Sequence, residues 1–533
     1  MEAWLSSGAC LGDGLGDDDG AAGESVGWAD PTCAILRAVM MRARRLLRLI
    51  ARVAGATLAL LAAILVINTL RLSPPKIEAA APPPPAAVPA AIIAQHLGAA
   101  IRIETISHED AKQDEPGKWN ALHEMLATTY PAFHAAATRE RLGNGALLYT
   151  WKGSDPSLKP VLFAAHMDVV PIEPGTEGAW TRPPFSGAIE DGYVWGRGAL
   201  DDKGSLIGMF EAAESLAREH WAPRRTILFA LGCDEERGGE NGAKIIAATL
   251  AARGVRLDYA LDEGMAVTEG VVPSVDRPVA IIGLGEKGYS TIELVAEMPG
   301  GHSSMPPRET AVSVLAAAVD RVARAPMPAR LEGASRAQME ALAPYMPFGR
   351  RLALANLWLL SPVVRSMLSR EIVTNAAIRT TTAPTVIEGG VKENVLPSRA
   401  RALINFRILP GDTIDTVLAH VRTVVADPRI SLRSVGHLDG NPAPLSSMSG
   451  RAYHLIENTI HRFYPTAVVV PGLVLGTTDA RHYAGIADGI YHFAPFVLRG
   501  KERESLHGTN ERMRVSDLET TVGVFRALFA DGG

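Results

Sequence analysis

Four short stretches of this chain each run from an apolar, strand-like segment into residue types that bind metal. They are VLFAAHMD, ending at His166 and Asp168; VWGRGALDD, at Asp201 and Asp202; TILFALGCDEE, at Glu235 and Glu236; and LDYALDE, at Asp262. His507, in LHGTNERM, adds a second imidazole. A single His or Asp after a strand is commonly a cap or a satisfied loop residue. Ligands of open α/β sheets, however, gather at the carboxyl ends of the strands, and two imidazoles with three or four carboxylates are hard to account for as structure alone. Imidazole together with carboxylate suits zinc, with cobalt or manganese as substitutes, whereas an all-oxygen set would suit magnesium or calcium. The set is that expected of a two-metal hydrolase.

Positioning such a set requires a sheet, and the chain alternates strand-like and helix-like stretches in the right way. From residue 92 to about 287, strand candidates (ALLYTW, PVLFAAHMD, RTILFALGC, YALDE, PVAIIGL) alternate with helical stretches such as GSLIGMFEAAESLARE, the pattern of an α/β domain. From about 288 to 432, the strands YSTIELVAEM and ARALINFRIL are separated by the helix-like TAVSVLAAAVDRVAR and TIDTVLAHVRTVVA, which reads as a smaller α+β domain inserted into the first. Within it, residues 330–377 show no strand alternation and include the apolar ANLWLLSPVVRSMLS, read as a helical insert, with a membrane-surface contact as the alternative. The closing part, 433–533, returns to helix and strand and carries His507, so it must fold back onto the first domain.

The amino-terminal part carries a different signal. Arg42, Arg44, Arg45, Arg48 and Arg52 precede an uncharged run from Val53 to Leu70. At 1.5 Å per residue that run is just long enough for a hydrocarbon core of about 30 Å. Residues 41–72 therefore read as a basic flank and a transmembrane anchor, with the flank cytoplasmic and the rest translocated to a periplasmic or extracytoplasmic side. The small residues Ala79 to Ala81 lie beyond the usual distance for signal cleavage, which favours an uncleaved anchor over secretion. The Pro- and Ala-rich stretch at 73–91 reads as a semi-rigid linker. Residues 1–40 are Gly-rich and acidic ahead of the basic flank; the expectation is a disordered extension, or a start of translation near Met41.

At 533 residues the chain has room for two domains, since single cores stop growing beyond roughly 250 to 300 residues. The formal net charge of −5 gives no sign of a nucleic-acid partner. Cys10, Cys33 and Cys233 cannot build a disulfide framework and are too scattered for a zinc cluster.

HMDVVP, GRGALDDKGS, the acids of GCDEERGG, the Asp of ALDEG, GGHSSMPP and HGTNER resemble, in order, the signature elements of the aminoacylase, carboxypeptidase S and glutamate carboxypeptidase family of di-zinc metallopeptidases. RTTTAPTVIEGGVKENVLPSRARALINFRILPGDT is similar in particular to the branch containing carboxypeptidase S and N-fatty-acyl-amino-acid synthase/hydrolase. The resemblance implies a zinc-exopeptidase-like catalytic domain, a mixed sheet flanked by helices, with an inserted lid that serves in homodimerisation. It also implies that His166, Asp201 and Asp262 hold one zinc and that Glu236, Asp201 and His507 hold the other. Asp201 would then be the bridging carboxylate that two metals about 3.5 to 4 Å apart require.

Asp168 would accept the proton of the imidazole nitrogen of His166 that faces away from the metal, or serve as a plain strand-end cap. Glu235, held beside the metal by its neighbour without being a ligand, is the expected general base. His302, by the resemblance, reaches the active site, often that of a partner subunit, to stabilise an oxyanion; on residue type alone it is equally a solvent-facing loop His. Asn394 and Arg407 match substrate-recognition positions, and Arg407 offers a planar fork for a carboxylate or for a structural salt bridge. The loop from Gly476 to Arg481 lines a pocket or is a simple turn. Cys233 reads as a small buried residue. The expected activity is zinc-dependent hydrolysis of an amide to release a free amino acid, from a short peptide or from an N-acyl amino acid. A catalytically silent scaffold is the contrasting expectation, and Glu235 argues against it.

Overall fold

The computed structural model describes residues 31–75, 83, 86–436 and 438–533. The expectation for the first thirty residues lies outside the described part. Two units are distinct in the chain, one ending at Arg71 and one running from Leu72 to Gly533. In the first unit, Pro31–Arg71 is one helix. Pro31 opens it, where a missing N–H costs nothing, and the Leu-, Ala- and Arg-rich sequence sustains it. Helix therefore extends back across residues 31–40. Its segment Ala38–Arg71 is long and apolar enough to cross a membrane.

The second unit is α/β and is organised by an eight-stranded mixed sheet. The strand order is Thr138–Leu142, Ala146–Trp151, Ile227–Gly232, Val161–His166, Tyr259–Glu269, Ile490–Arg499, Val279–Glu286 and Val468–Val474. Val161–His166 runs parallel to both its neighbours, and Ile490–Arg499 runs parallel to Tyr259–Glu269. Every residue of VLFAAH and of ILFALG is buried, which is why these strands read as continuous apolar runs: helices cover both faces of the sheet. Lys203–Arg218 and Val515–Gly532 pack together on the sheet, and Phe529 meets the rings of Phe163 and Phe229 at 4.8 and 5.1 Å.

The stretch VWGRGALDD departs from its expected form. Only Tyr193–Trp195 is strand, and it belongs to a separate three-stranded sheet with Ala188–Glu190 and Arg512–Arg514. Asp201 is delivered by the turn that opens the Lys203–Arg218 helix, with Asp202 at the N-cap position.

Residues 288–434 build a four-stranded antiparallel sheet in the order Thr381–Gly389, Arg399–Ile408, Gly288–Glu297, Ile430–Ser434. Arg399–Ile408 alternates strictly between buried and more accessible residues, the signature of a sheet covered on one face. The covering helices, Ala311–Arg324 and Ile414–Val425, each start on a Thr capping box, Thr310 with Ser313 and Thr413 with Thr416. The 330–377 segment is helical, with helices at Gly333–Leu342, Phe348–Ala355, Leu357–Leu368 and Ile372–Ile378. Lys287, buried where the chain passes from one sheet to the other, donates from Nζ to the carbonyls of Ala376 and Arg379 at 3.0 and 2.8 Å. Burial pushes its pKa down to about 7, so the site favours loss of the charge more than an exposed lysine does.

Candidate active site

The carboxyl ends of three adjacent strands of the large sheet converge on one cluster. Val161–His166 ends at His166 itself, Ile227–Gly232 runs into the turn bearing Glu235 and Glu236, and Tyr259–Glu269 carries Asp262 and Glu263. Asp201 enters from the helix N-terminus and His507 from the loop after Gly500–Ser505.

Asp201 lies between the two imidazoles. Its Oδ1 is 2.9 Å from His166 Nε2 and its Oδ2 is 3.0 Å from His507 Nε2. Glu236 Oε2 lies 3.2 Å from His507 Nε2, and Glu263 Oε1 lies 3.6 Å from His166 Nε2. One carboxylate therefore spans two half-sites, each completed by an imidazole and a second carboxylate. Donor atoms of His166, Glu235 and Glu263, and of His166, Asp201 and Glu236, fall within 4.8 Å of one another. The set fits a pair of zinc-type ions by donor chemistry, and Glu236 Oε1 is buried without a hydrogen-bond partner, as a ligand oxygen would be.

Asp262, the expected ligand, and Glu263 both stand at this strand end, and Asp262 Oδ2 is buried without a hydrogen-bond partner, as Glu236 Oε1 is. Neighbours on a strand point to opposite faces, and Glu263 is the one that faces His166. Asp262 turns its Oδ1 to the Glu263 amide at 2.9 Å and stands opposite His492, which bonds the Glu263 carbonyl at 2.9 Å. The sequence LDEG contains the acid that joins the cluster; residue type alone does not say which of two adjacent acids it is.

Asp168 is fully buried and does more than orient an imidazole. His166 Nδ1 lies 3.0 Å from the Asp168 carbonyl oxygen and 3.5 Å from its carboxylate, while the carboxylate accepts the amides of Glu235 and Glu236, both at 3.2 Å. It thus fixes the turn that presents the base and one ligand.

The electrostatics of the cluster call for cations. Despite burial, hydrogen bonds to Asp168, Asp201 and Glu263 hold the His166 pKa well above its ordinary value. Hydrogen bonds to Asp201 and Glu236 raise His507 to about 10. Burial pushes the Glu235 carboxyl well above the usual carboxylate range, against the pull of His166 and with the charges of Glu263 and Asp479 adding to it. Burial and the Asp201 charge raise Glu263 to about 7. So dense a group of buried acids is stabilised by positive charge of the kind a metal ion brings.

Glu511 was not singled out from the sequence. Its side chain is fully buried; Oε1 accepts the amides of Leu200 and Asp201 at 2.9 and 3.1 Å, and Oε2 pairs with Arg197 at 2.8 Å. Arg197 in turn donates to the His507 carbonyl at 3.0 Å. One ion pair braces the backbone of both half-sites. The signal was present as the two charges of GRGALDD and HGTNER, but only the fold makes them neighbours.

A cavity of about 400 Å³ opens onto the cluster, lined by Asp201, Glu235, Glu236, Glu263 and His507 and, on the far side, by Tyr289, Arg407, Gly476 and Arg481. Arg407 stacks 4.7 Å over the Tyr289 ring, and among the described residues no carboxylate pairs with it, so its fork stays available. Burial pushes the Cys233 thiol up, as fits an inert core residue.

His302 and Asn394 are placed elsewhere. The pairs Gly301–His302 and Val395–Leu396 form a two-stranded ribbon, His302 is exposed with Nδ1 accepting from Ser304 Oγ at 2.7 Å, and neither His302 nor Asn394 lines the cavity.

Residues 162–531 match the model of peptidase family M20/M25/M40. The chain is 40% identical over 430 residues to the N-fatty-acyl-amino acid synthase/hydrolase PM20D1 of Bos taurus, covering 80% of this chain and 85% of that one. It is 37% identical over 474 residues to the probable carboxypeptidase S-like 2 of Dictyostelium discoideum, covering 87% of this chain and 90% of that one. In fold it is similar to the M20 family metallo-carboxypeptidase Sso-CP2 from Sulfolobus solfataricus, with a TM-score of 0.62 at 18% identity over 82% of this chain and 98% of that one. A central mixed sheet flanked by helices, an acid and imidazole cluster at its carboxyl edge, and a family match across that whole region lead to one assignment: the chain is a hydrolase that belongs to peptidase family M20/M25/M40.

Proposed function

We propose that the protein hydrolyses an amide bond to release a free amino acid, acting as a carboxypeptidase on short peptides, with two zinc ions held by His166, Asp201, Glu236, Asp262 and His507 and with Glu263 beside His166. The observation that carries the proposal is a single cavity lined by Glu235, by the cluster and by an unpaired Arg407. When bound, the ions supply Lewis acidity at the scissile carbonyl and lower the pKa of the attacking water.

The chain's own residues do the rest. Arg407 pairs with the carboxylate of the amino acid to be released, and the loop at Gly476 confines that end. Glu235 takes the proton of the attacking water and delivers it to the leaving nitrogen. Asp168 keeps the Glu235 turn and the His166 ring in register. His302 and Asn394 belong to a lid formed by 288–432, which brings them to an active site through closure or through a homodimer partner.

A second activity, on N-acyl amino acids including fatty-acyl ones, is favoured by the apolar part of the same wall: Val474, Phe496, Leu498 and Leu506. The bovine relative's name points the same way. Residues 38–71 serve as a membrane anchor, with the catalytic unit on the translocated side. Turnover of dipeptides and of long-chain N-acyl amino acids by wild type and Glu235→Gln, with zinc content measured on both, tests the proposal. Loss of turnover at unchanged zinc supports it; equal inactivity of both proteins on both panels would refute it.

A further inference from the structure

The helix Leu357–Leu368 is one-sided in an unusual way. Its buried residues, Leu357 and Val364, join a cluster with Leu354, Ile378 and residues of the large sheet. Trp358, Leu359, Pro362, Val363, Ser366 and Met367 are all exposed. At 100° per residue these six cover half the helix circumference without a gap and without a charge. Trp358 is 62% exposed, Val363 54% and Met367 51%, and on the next helix Ile372 is 87% exposed. A contiguous apolar face of this kind on a water-soluble surface marks a docking site.

Two observations choose the occupant. Leu72, the residue that follows the apolar amino-terminal helix in sequence, packs on the same hydrophobic cluster. A chain anchored through that helix therefore carries this cluster to the bilayer surface. Residues 348–378 also hold four Arg (350, 351, 365 and 370) against one acid, Glu371, in a chain whose formal net charge is −5. Arg350 and Arg370, which precede and follow the helix in sequence, are exposed. An apolar helix face that includes Trp, in a segment with a surplus of Arg, is the composition of a helix that lies in the headgroup region of an anionic bilayer.

We infer that Leu357–Leu368, with Ile372 and Val373, lies in the membrane surface and holds the catalytic unit against the bilayer; the inference rests on the anchor proposed above. The cavity then works at the interface, where substrates with long apolar tails reside.

The test uses the full chain reconstituted in vesicles of phosphatidylcholine with one-fifth phosphatidylglycerol, doped with acyl-chain spin-labelled lipid as quencher. Wild type should lose part of its Trp emission to the quencher, and Trp358→Phe should lose measurably less. Val363→Glu with Met367→Glu should abolish the Trp358 component. Equal quenching of wild type and Trp358→Phe, in protein that resists alkaline carbonate extraction, would overturn the docking while leaving the anchor standing. Trp358 quenching in protein that carbonate extracts would support the docking and sink the anchor. A dimer in detergent that Val363→Glu dissociates would assign the face to a second copy and overturn the proposal.

Discussion

Two regions of the catalytic unit carry residues expected at one site, and they are built in opposite ways. At the carboxyl edge of the large sheet, His166, Asp168 and Asp201 are held by buried hydrogen bonds, a helix N-terminus and the Arg197–Glu511 pair. On the ribbon of the smaller sheet, His302 is exposed and its ring is met by a neighbouring Ser. The contrast teaches that the chain braces the acid and imidazole cluster rigidly and leaves the ribbon that carries His302 lightly held. Buried charges that are cross-braced stay put because moving any one would strand its partners. An exposed His on a two-residue ribbon can be repositioned at little cost.

The comparison can be broken at several points. The largest effect is expected for Asp201→Ala, which removes the carboxylate shared by both imidazoles: zinc content should fall to background and turnover with it, and retention of both ions would refute the bridge. Glu235→Gln should lower kcat by about 10²- to 10⁴-fold with zinc content intact. His302→Ala should lower kcat by about 10²- to 10³-fold, as for loss of one oxyanion donor. If the ribbon acts between subunits, mixing His302→Ala with Asp201→Ala should restore activity that neither protein has alone; failure to complement would place His302 in its own chain's site. Asp262→Asn should weaken zinc binding by at least about tenfold, more than Glu263→Gln does; the reverse order, in a chelator titration, would move the ligand role to Glu263.

The smallest effect concerns Glu286, whose carboxylate accepts from the Thr478 amide and hydroxyl beneath the cavity loop. Burial pushes its carboxyl up to about 8 from an ordinary value of 4.5, so the folded state favours the neutral acid. That stabilisation is complete below the unfolded value and is lost as pH rises through 8. Glu286→Gln keeps the neutral shape. The Tm of wild type should therefore fall relative to the variant between about pH 5 and pH 8 and then level off; parallel curves would count against the shift.

Much of the acid and imidazole cluster was legible because its residues sit at strand ends, where type and position agree. His166, Glu235 and Glu236 are of this kind. The division of labour in LDEG was not legible, since two adjacent acids satisfy the same pattern and only the strand's facing direction separates them. VWGRGALDD begins as a strand-like segment because Val194 and Trp195 are apolar, but residue type does not say which sheet they join; their partners are Ile189 and Met513 for Val194 and Ala188 and Arg512 for Trp195, in a separate sheet. Glu511 lies 310 residues from Asp201 in sequence, and no local periodicity encodes a contact of that range. The 330–377 segment is helical, but its exposed stripe depends on which half of each turn the neighbouring strands cover.

The place of Ile490–Arg499 in the sheet bears on how the enzyme is made. That strand lies between Tyr259–Glu269 and Val279–Glu286 in space, although more than two hundred residues separate it from them in synthesis. A ribosome therefore delivers both flanking strands long before the one that joins them, and His507 and Glu511 follow later still. Until then the growing chain has an open seam through the centre of its sheet and a metal site lacking one imidazole and its brace. The acid and imidazole cluster is thus completed only by the last part of the chain to be made.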